Sequence, residues 1–345
     1  MVHPTGPATS TVAPSPLSRK RASSSGPGDA FQLLEVQENK SEPLSALLFG
    51  ATKMGLRVLV LVKDIGGTVK QFMEHHRILA MCSVELPSGK YREINEGDRL
   101  SHNQTELVTR REELVIQPAE VPWKLSYSVP LRILSFDIET AVPETGLSNP
   151  CRDAVLQIGN ILKGNENESG SFRVIFTLGS CSAIDGAEVR SFRTEYEMLL
   201  AWKQFFIDCD PDLVTGHNIG RFDFMYLITR AKTLSVRVPN FACLGRLKGF
   251  DTRVDEGNTS IPWNQAPVLP GRLQFDTLQY FMEREMDKAK GACKLDTLAR
   301  KYLDSNKEHG VDYTMINGLH AGTNDDRKRL AIYCLKVYPA MRIVG

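Results

Sequence analysis

No two of the seven cysteines are spaced C-x-x-C, which excludes the zinc and iron–sulfur sites built on such pairs. The cysteines, at positions 82, 151, 181, 209, 243, 293 and 334, are scattered and odd in number, as reduced thiols are and disulfide frameworks are not. Long apolar runs are missing too. The most apolar short stretch, residues 54–62, is interrupted by Arg57 and falls far below the roughly 18 residues of a membrane span. Nor is there an excess of charge: 42 Lys and Arg stand against 41 Asp and Glu, for a formal net charge of +1. That excludes a strongly basic nucleic-acid coat protein but not a local basic groove. No internal repeat occurs, which excludes solenoids and propellers.

What is present is a globular composition, 42% apolar and 24% charged, over 345 residues, enough for two or three domains. Residues 1–30 are dominated by Pro, Ser, Thr, Ala and Gly and are expected to be a disordered tail. Its Arg19-Lys20-Arg21 reads equally as a nuclear address or as a solvated charge run. The lack of acids before Asp29 would suit a transit peptide, but the prolines oppose an amphipathic helix. Residues 31–128 are expected to form a smaller mixed α/β N-terminal lobe, with a strand at 56–62, a helix at 68–80, a turn at 87–89 and a proline-bearing connector at 118–130. In residues 129–345 strands at 131–136, 155–162, 172–178, 213–216 and 273–275 alternate with helices at 195–209, 222–232, 277–288, 295–303 and 325–343. The fold class is therefore α/β.

Asp137 and Glu139 close the first of these strands. Positions i and i+2 of a strand share a face, so both carboxylates project together. Burying two such acids is costly unless a cation neutralises them, and Mg²⁺ is the oxygen-seeking ion suited to that task. The plain alternative is an acidic pair ending a strand at the surface. A second element, Gly216-His217-Asn218-Ile219-Gly220-Arg221-Phe222-Asp223, follows a strand and opens a helix. There Asp223 is favoured by the helix dipole, and Asn218 could hydrogen-bond a substrate strand. For Asp223 the alternative is simple capping. Trp202, Phe205 and Phe206 have the spacing of a helix core rather than a base-stacking platform. His75-His76 reads as a surface pair, Asp276 as the cap of the helix that follows it, and His217 as either cleft-facing or satisfied within its loop.

Phe136-Asp137-Ile138-Glu139-Thr140 resembles the first exonuclease motif of the B-family DNA polymerases, and Asn218-x3-Phe222-Asp223 resembles the second. Within that family the delta-type catalytic subunits are the most similar. The likeness is carried by Glu85-Leu86-Pro87-Ser88-Gly89-Lys90-Tyr91-Arg92, the run 131–139, Thr215-Gly216-His217-Asn218, Gly271-Arg272-Leu273-Gln274-Phe275-Asp276 and the run 329–336. It covers residues 69–345, while 31–68 match poorly. The resemblance implies an RNase H-like (DnaQ-like) 3′–5′ exonuclease fold and a nuclear, proofreading activity in DNA replication. It implies two Mg²⁺ ions, with Mn²⁺ as the alternative, and neither zinc nor an iron–sulfur cluster. By motif position Asp137 would bridge both ions, Glu139 would hold one, and Asp223 the other through water. Tyr333 would orient the attacking water, and Asn218 and Phe222 would contact DNA. The implied partners are single-stranded DNA 3′ ends, primer–template DNA and other replisome subunits, with no membrane. The stretch 249–271 falls where the family carries a β-hairpin that parts primer from template.

The chain departs from the family at the third motif, Tyr-x3-Asp. Tyr333-Cys334-Leu335-Lys336 is followed by Val337, and the simplest alignment deletes the Asp between Lys336 and Val337. Asp326 shares the helical face but lies 11 residues before Val337, roughly 16 Å along the axis. An impaired exonuclease is therefore expected; the alternative is a catalytically dead remnant that binds single-stranded DNA or serves assembly. Polymerase palm motifs do not occur in the sequence. The expectation is a fragment, a truncated gene copy or an incomplete gene model, ending before the palm.

Overall fold

The computed structural model describes residues 30–79, 82–117, 129–164, 171–235, 241–252, 267–284, 291–303 and 311–337. The expected tail, nearly all of the 118–130 connector, the middle of the 249–271 hairpin region and the ends of the helices expected to reach 288 and 343 lie outside these residues.

The first strands are β1 (Phe31–Glu38), β2 (Ala46–Thr52), β3 (Arg57–Lys63), β4 (Ser83–Glu85), β5 (Tyr91–Glu93), β6 (Thr105–Arg110) and β7 (Val115–Gln117). They make one sheet in the order β5-β6-β3-β2-β1-β4-β7. Strand β3 is apolar on both sides and is covered on both. Val58, Val60 and Val62 pack with Phe72 of helix α1 (Val69–His75), while Leu59 and Leu61 pack with Leu47, Phe49 and Leu247. Helix α1 begins in a capping box between Thr68 and Gln71, as a Thr-x-x-Gln sequence should. It stops well short of residue 80, because Arg77 adopts a φ of 51° that a continuing helix cannot accommodate.

A second sheet contains β8 (Ile133–Thr140), β9 (Val155–Lys163), β10 (Ser171–Leu178), β11 (Glu188–Phe192), β12 (Leu213–Gly216) and β13 (Leu273–Asp276), in the order β11-β10-β9-β8-β12-β13. Strand β9 runs antiparallel between β8 and β10, and β12 and β13 continue the sheet in parallel from β8. Leu134, Phe136 and Ile138 of β8 face helices α2 (Glu195–Cys209) and α3 (Asp223–Thr233) and pack with Trp202, Phe206 and Phe224. Trp202 and Phe206 are fully buried and the Trp202 indole donates to Asn160 Oδ1 at 3.0 Å, so these aromatics are core. Later helices are α4 (Thr277–Arg284), α5 (Leu295–Leu303), α6 (Ile316–Ala321) and α7 (Asn324–Cys334). On the other sheet face Ala331, Cys334 and Leu335 pack on Ile175. Helices on both faces of a sheet ordered this way form the α/β, RNase H-like arrangement that the resemblance implies.

Helix α7 ends at Cys334 and tightens into a 3₁₀ turn over Leu335–Val337. The contact is close: a Cβ on Gly159 of β9 would stand 2.9 Å from the Cys334 carbonyl and 3.0 Å from its sulfur. The two sheets are joined by buried ion pairs. Arg57 of β3 donates its Nε to Asp212 at 2.6 Å, and Arg246 reaches Asp212 at 2.7 Å and Asp210 at 2.9 Å. Arg272 adds a bond to Asp210 at 2.8 Å. No helix among the described residues is long and apolar enough to cross a membrane.

Candidate functional site

Asp137 and Glu139 lie within β8 rather than at its end, because pairing with β9 continues through Asp137 opposite Gly159 and Glu139 opposite Gln157. A register shift between Glu139 and Thr140 then bends the strand, a device frequent beside functional sites. Both acids project away from Phe136 and Ile138, onto the face that α7 covers. Helix α7 contributes Cys334, and one ligand atom from each of Asp137, Glu139 and Cys334 lies within 4.8 Å of the others. The Cys334 sulfur is also 3.5 Å from the Asp137 carbonyl oxygen.

Asp223 arrives from a different direction. Strand β12 ends at Gly216, and the chain turns into α3, whose first residue is Asp223. Its Oδ1 accepts the backbone N–H of Ile138 at 3.0 Å, so the carboxylate is bound to the strand segment between the two acids. Asp223 is buried and does not cap its helix by side chain; Phe222 is the N-cap residue and makes no side-chain cap bond. Burial, and then the charge of Asp137, push its carboxyl well above the usual range. Burial likewise pushes the Cys334 thiol well up, helped by Asp137, Glu139 and Asp223.

These donors fit a divalent cation. Ligand atoms within 4.8 Å of one another need only small side-chain rotations to close on one ion, whose bonds to oxygen measure about 2.0–2.2 Å. The carboxylates are hard oxygen donors, and both burial and the charge of Asp137 disfavour ionised Asp223, effects that a bound cation would oppose. The sequence pattern alone gives Cys334 no role. Its signal in sequence is its place one residue after Tyr333, on the helix that closes over Asp137.

The remaining residues are distributed around this centre. Asn218 adopts a left-handed φ of 68°, and the Phe222 ring is 36% exposed and 5.5 Å from the Tyr226 ring. His217 Nδ1 lies 3.1 Å from Thr277 Oγ1. Asp276 caps α4 as expected, accepting Leu278 N–H at 3.0 Å, but it also accepts Asn218 N–H at 2.8 Å and Gly220 N–H at 3.2 Å. Tyr333 is half-buried against Leu156, Ile316, Leu319 and Leu330. Val337 closes the 3₁₀ turn after α7. Asp326 is engaged in a capping box with Thr323, at the opposite end of α7 from Cys334.

Comparison with known proteins agrees with this architecture. Residues 67–298 match the family model for the DNA polymerase family B exonuclease domain, a match that ends ahead of α7. The DNA polymerase delta catalytic subunit of Schizosaccharomyces pombe is 37% identical over 271 residues, 77% of this chain and 24% of that protein. The Arabidopsis thaliana subunit is 35% identical over 273 residues, 78% of this chain and 24% of that protein. The chain thus spans about a quarter of the length of these curated relatives. Among solved structures, a family B DNA polymerase from the hyperthermophilic archaeon Pyrobaculum calidifontis superposes with a TM-score of 0.62 at 16% identity, covering 90% of this chain and 44% of that one. The chain belongs to DNA polymerase family B and carries the exonuclease domain of a delta-like member.

Proposed function

We propose that this chain acts on unpaired 3′ ends of DNA, as the proofreading exonuclease portion of a delta-like replicative polymerase. The observation that supports this reading is the convergence of Asp137, Glu139 and Asp223 on one strand segment of a family B exonuclease domain. Bound divalent cations would polarise the scissile phosphate and lower the pKa of a water. Asp137, which neighbours both Glu139 and Asp223, would bridge two ions, Mg²⁺ or alternatively Mn²⁺. Asn218 would hold the terminal nucleotides by hydrogen bonds and the exposed Phe222 ring by stacking. Tyr333 would orient water. The proposed partners are primer–template DNA and other replisome subunits, in the nucleus. The proposed division is an N-terminal lobe over 31–128 and an exonuclease-like domain over 129–345.

Val337 in place of the third-motif Asp lowers the expected rate severely, because a valine side chain has no donor atom. A metal-dependent digestion assay on a labelled single strand tests this. The expected result is little cleavage, rising sharply when an Asp is inserted between Lys336 and Val337. Robust cleavage by the unaltered chain at micromolar Mg²⁺ would overturn the impairment. An inert insertion variant would overturn the exonuclease reading itself. The same valine favours a second reading, a non-catalytic portion that binds single-stranded DNA or serves assembly. Salt-dependent binding of a single strand supports the first of these roles, and its absence supports the second.

A further inference from the structure

The loop that carries Asn218 and Phe222 is held from a segment 58 residues further along the chain. Strand β13 runs beside β12 in parallel, with Gly216 opposite Asp276, so the β13–α4 junction lies against the start of that loop. Asp276 divides its carboxylate between two loop amides: Oδ1 accepts from Asn218 at 2.8 Å and Oδ2 from Gly220 at 3.2 Å. Thr277 adds to the grip. Its buried hydroxyl donates to the Gly216 carbonyl at 2.9 Å, and with that proton committed it accepts from His217 Nδ1 at 3.1 Å. The His217 proton therefore sits on Nδ1.

The loop needs such a hold. Asn218 is in the left-handed region at φ 68°, a conformation that persists where surrounding contacts enforce it. The loop also presses on the strand that bears the acids: a Cβ on Gly216 would stand 2.2 Å from Ile219 and 2.8 Å from the Phe136 carbonyl. Asn218 in turn accepts the N–H of Phe222 at 2.9 Å through its carbonyl, so its backbone sets where the helix bearing Asp223 begins.

We infer that Asp276 is a positioning residue for the DNA 3′ end: it touches no substrate but fixes the backbone of residues 218–220 so that Asn218 and Phe222 present to the strand. This rests on the proposed DNA-binding reading. A helix cap alone needs one oxygen at Leu278 N–H, whereas the loop needs both. Asp276→Asn separates the two roles, because asparagine caps as well as aspartate but turns an N–H₂ toward one of the loop amides.

The test measures binding of a fluorescent oligothymidylate to the full chain in calcium buffer, by anisotropy, together with native-state hydrogen exchange. Asp276→Asn is expected to weaken binding about tenfold, the loss of one charged hydrogen bond, with a melting midpoint lowered by a few degrees at most. Truncating both Asn218→Ala and Phe222→Ala should weaken binding as well, and adding Asp276→Asn to that pair should weaken it no further, within about twofold. The amides of Asn218 and Gly220 should exchange at least about tenfold faster in Asp276→Asn while those of β8 keep their rates. Asp276→Ser, which still caps but is too short to span both amides, should reproduce these effects if the first variant folds poorly. Unchanged affinity in Asp276→Asn, additive losses, or unchanged exchange at residues 218 and 220 would overturn the inference. A wild-type chain that binds no DNA would refute the reading beneath it, and the exchange result would then decide the hold on the loop alone.

Discussion

Two groups of acids lie in or beside one sheet and are balanced in opposite ways. Asp210 and Asp212 lead into β12 and are surrounded by Arg57, Arg132, Arg246 and Arg272. Burial alone would raise their carboxyls, but the guanidinium groups overturn this and hold both below the usual range. Asp223 is buried as deeply, yet its neighbours are Asp137 and the N–H of Ile138, and its carboxyl is raised. The first group is stabilised by cations that the chain itself provides, and it fastens the two sheets together. The second concentrates negative charge where a cation from outside would be most strongly held. Asp212 and Asp223 are equally deep; the sign of the neighbouring charge separates structure from chemistry.

The largest effect should come from breaking the balanced group. Asp212→Ala leaves Arg57 and Arg246 buried without their carboxylate, and the loss expected is about 3–5 kcal/mol, read as a lower midpoint in urea unfolding. A loss near zero would mean that the arginines find water or other acids, and the comparison would fail on that side. The next effect tests the other group. Mn²⁺ at one hundred times its dissociation constant should raise the unfolding free energy of the wild type by about 2.7 kcal/mol, and Asp137→Ala should abolish the gain. A smaller change of opposite sign to the first is expected for Asp223→Asn in metal-free buffer. The amide oxygen keeps the bond from Ile138 while the cost of burying an ionisable carboxyl beside Asp137 is removed, so stability should rise, by less than the Mn²⁺ gain, as the response to Mn²⁺ falls. A loss of stability in this variant would place Asp223 with the structural acids.

The elements of the second sheet were legible because their patterns are local. Strand β12 and helices α2 and α5 coincide with the spans read from residue spacing, and β8 begins within its expected span. The carboxylates were legible too, since a two-residue step on a strand and the opening turn of a helix are short-range facts. What escaped was long-range. Nothing near Arg57 announces a partner 155 residues away, and nothing near Asp276 announces a second duty toward Asn218. Cys334 is core, but α7 docks it beside two acids nearly 200 residues earlier in the chain. Residue spacing shows only one strand and one helix in the region of the first sheet. Strands such as β4, β5 and β7, three residues each, are too short to show a period.

The smallest effect sharpens the comparison at the boundary between the sheets, where Glu35 belongs to neither group. It lies on β1 next to a register shift, with Oε2 accepting Gly271 N–H at 2.6 Å and Oε1 accepting from Gln37 at 2.7 Å. Burial raises its carboxyl from 4.5 to about 7, although both hydrogen bonds and the field of Arg246 oppose the rise. Arg246 is already engaged with Asp210 and Asp212, which explains why its help here is weak. Because the folded value exceeds the unfolded one, the folded state holds the proton more tightly between pH 4.5 and 7. The contribution of Glu35 is thus complete below pH 4.5 and is lost as pH rises through 7. Asp212 behaves in the opposite sense: its lowered carboxyl stabilises above the ordinary aspartate range and loses that stabilisation as pH falls. The full shift of Glu35 corresponds to at most about 3 kcal/mol, and with part of the side chain open to solvent about 1 kcal/mol is expected. Glu35→Gln, neutral at every pH and still able to accept from Gly271, should remove that slope and be more stable than wild type at pH 8 but not at pH 4.5. Urea unfolding at the two pH values measures it. Parallel pH profiles for variant and wild type would show that Glu35 is ionised in the folded protein and compensated by Arg246, which would move it into the balanced group.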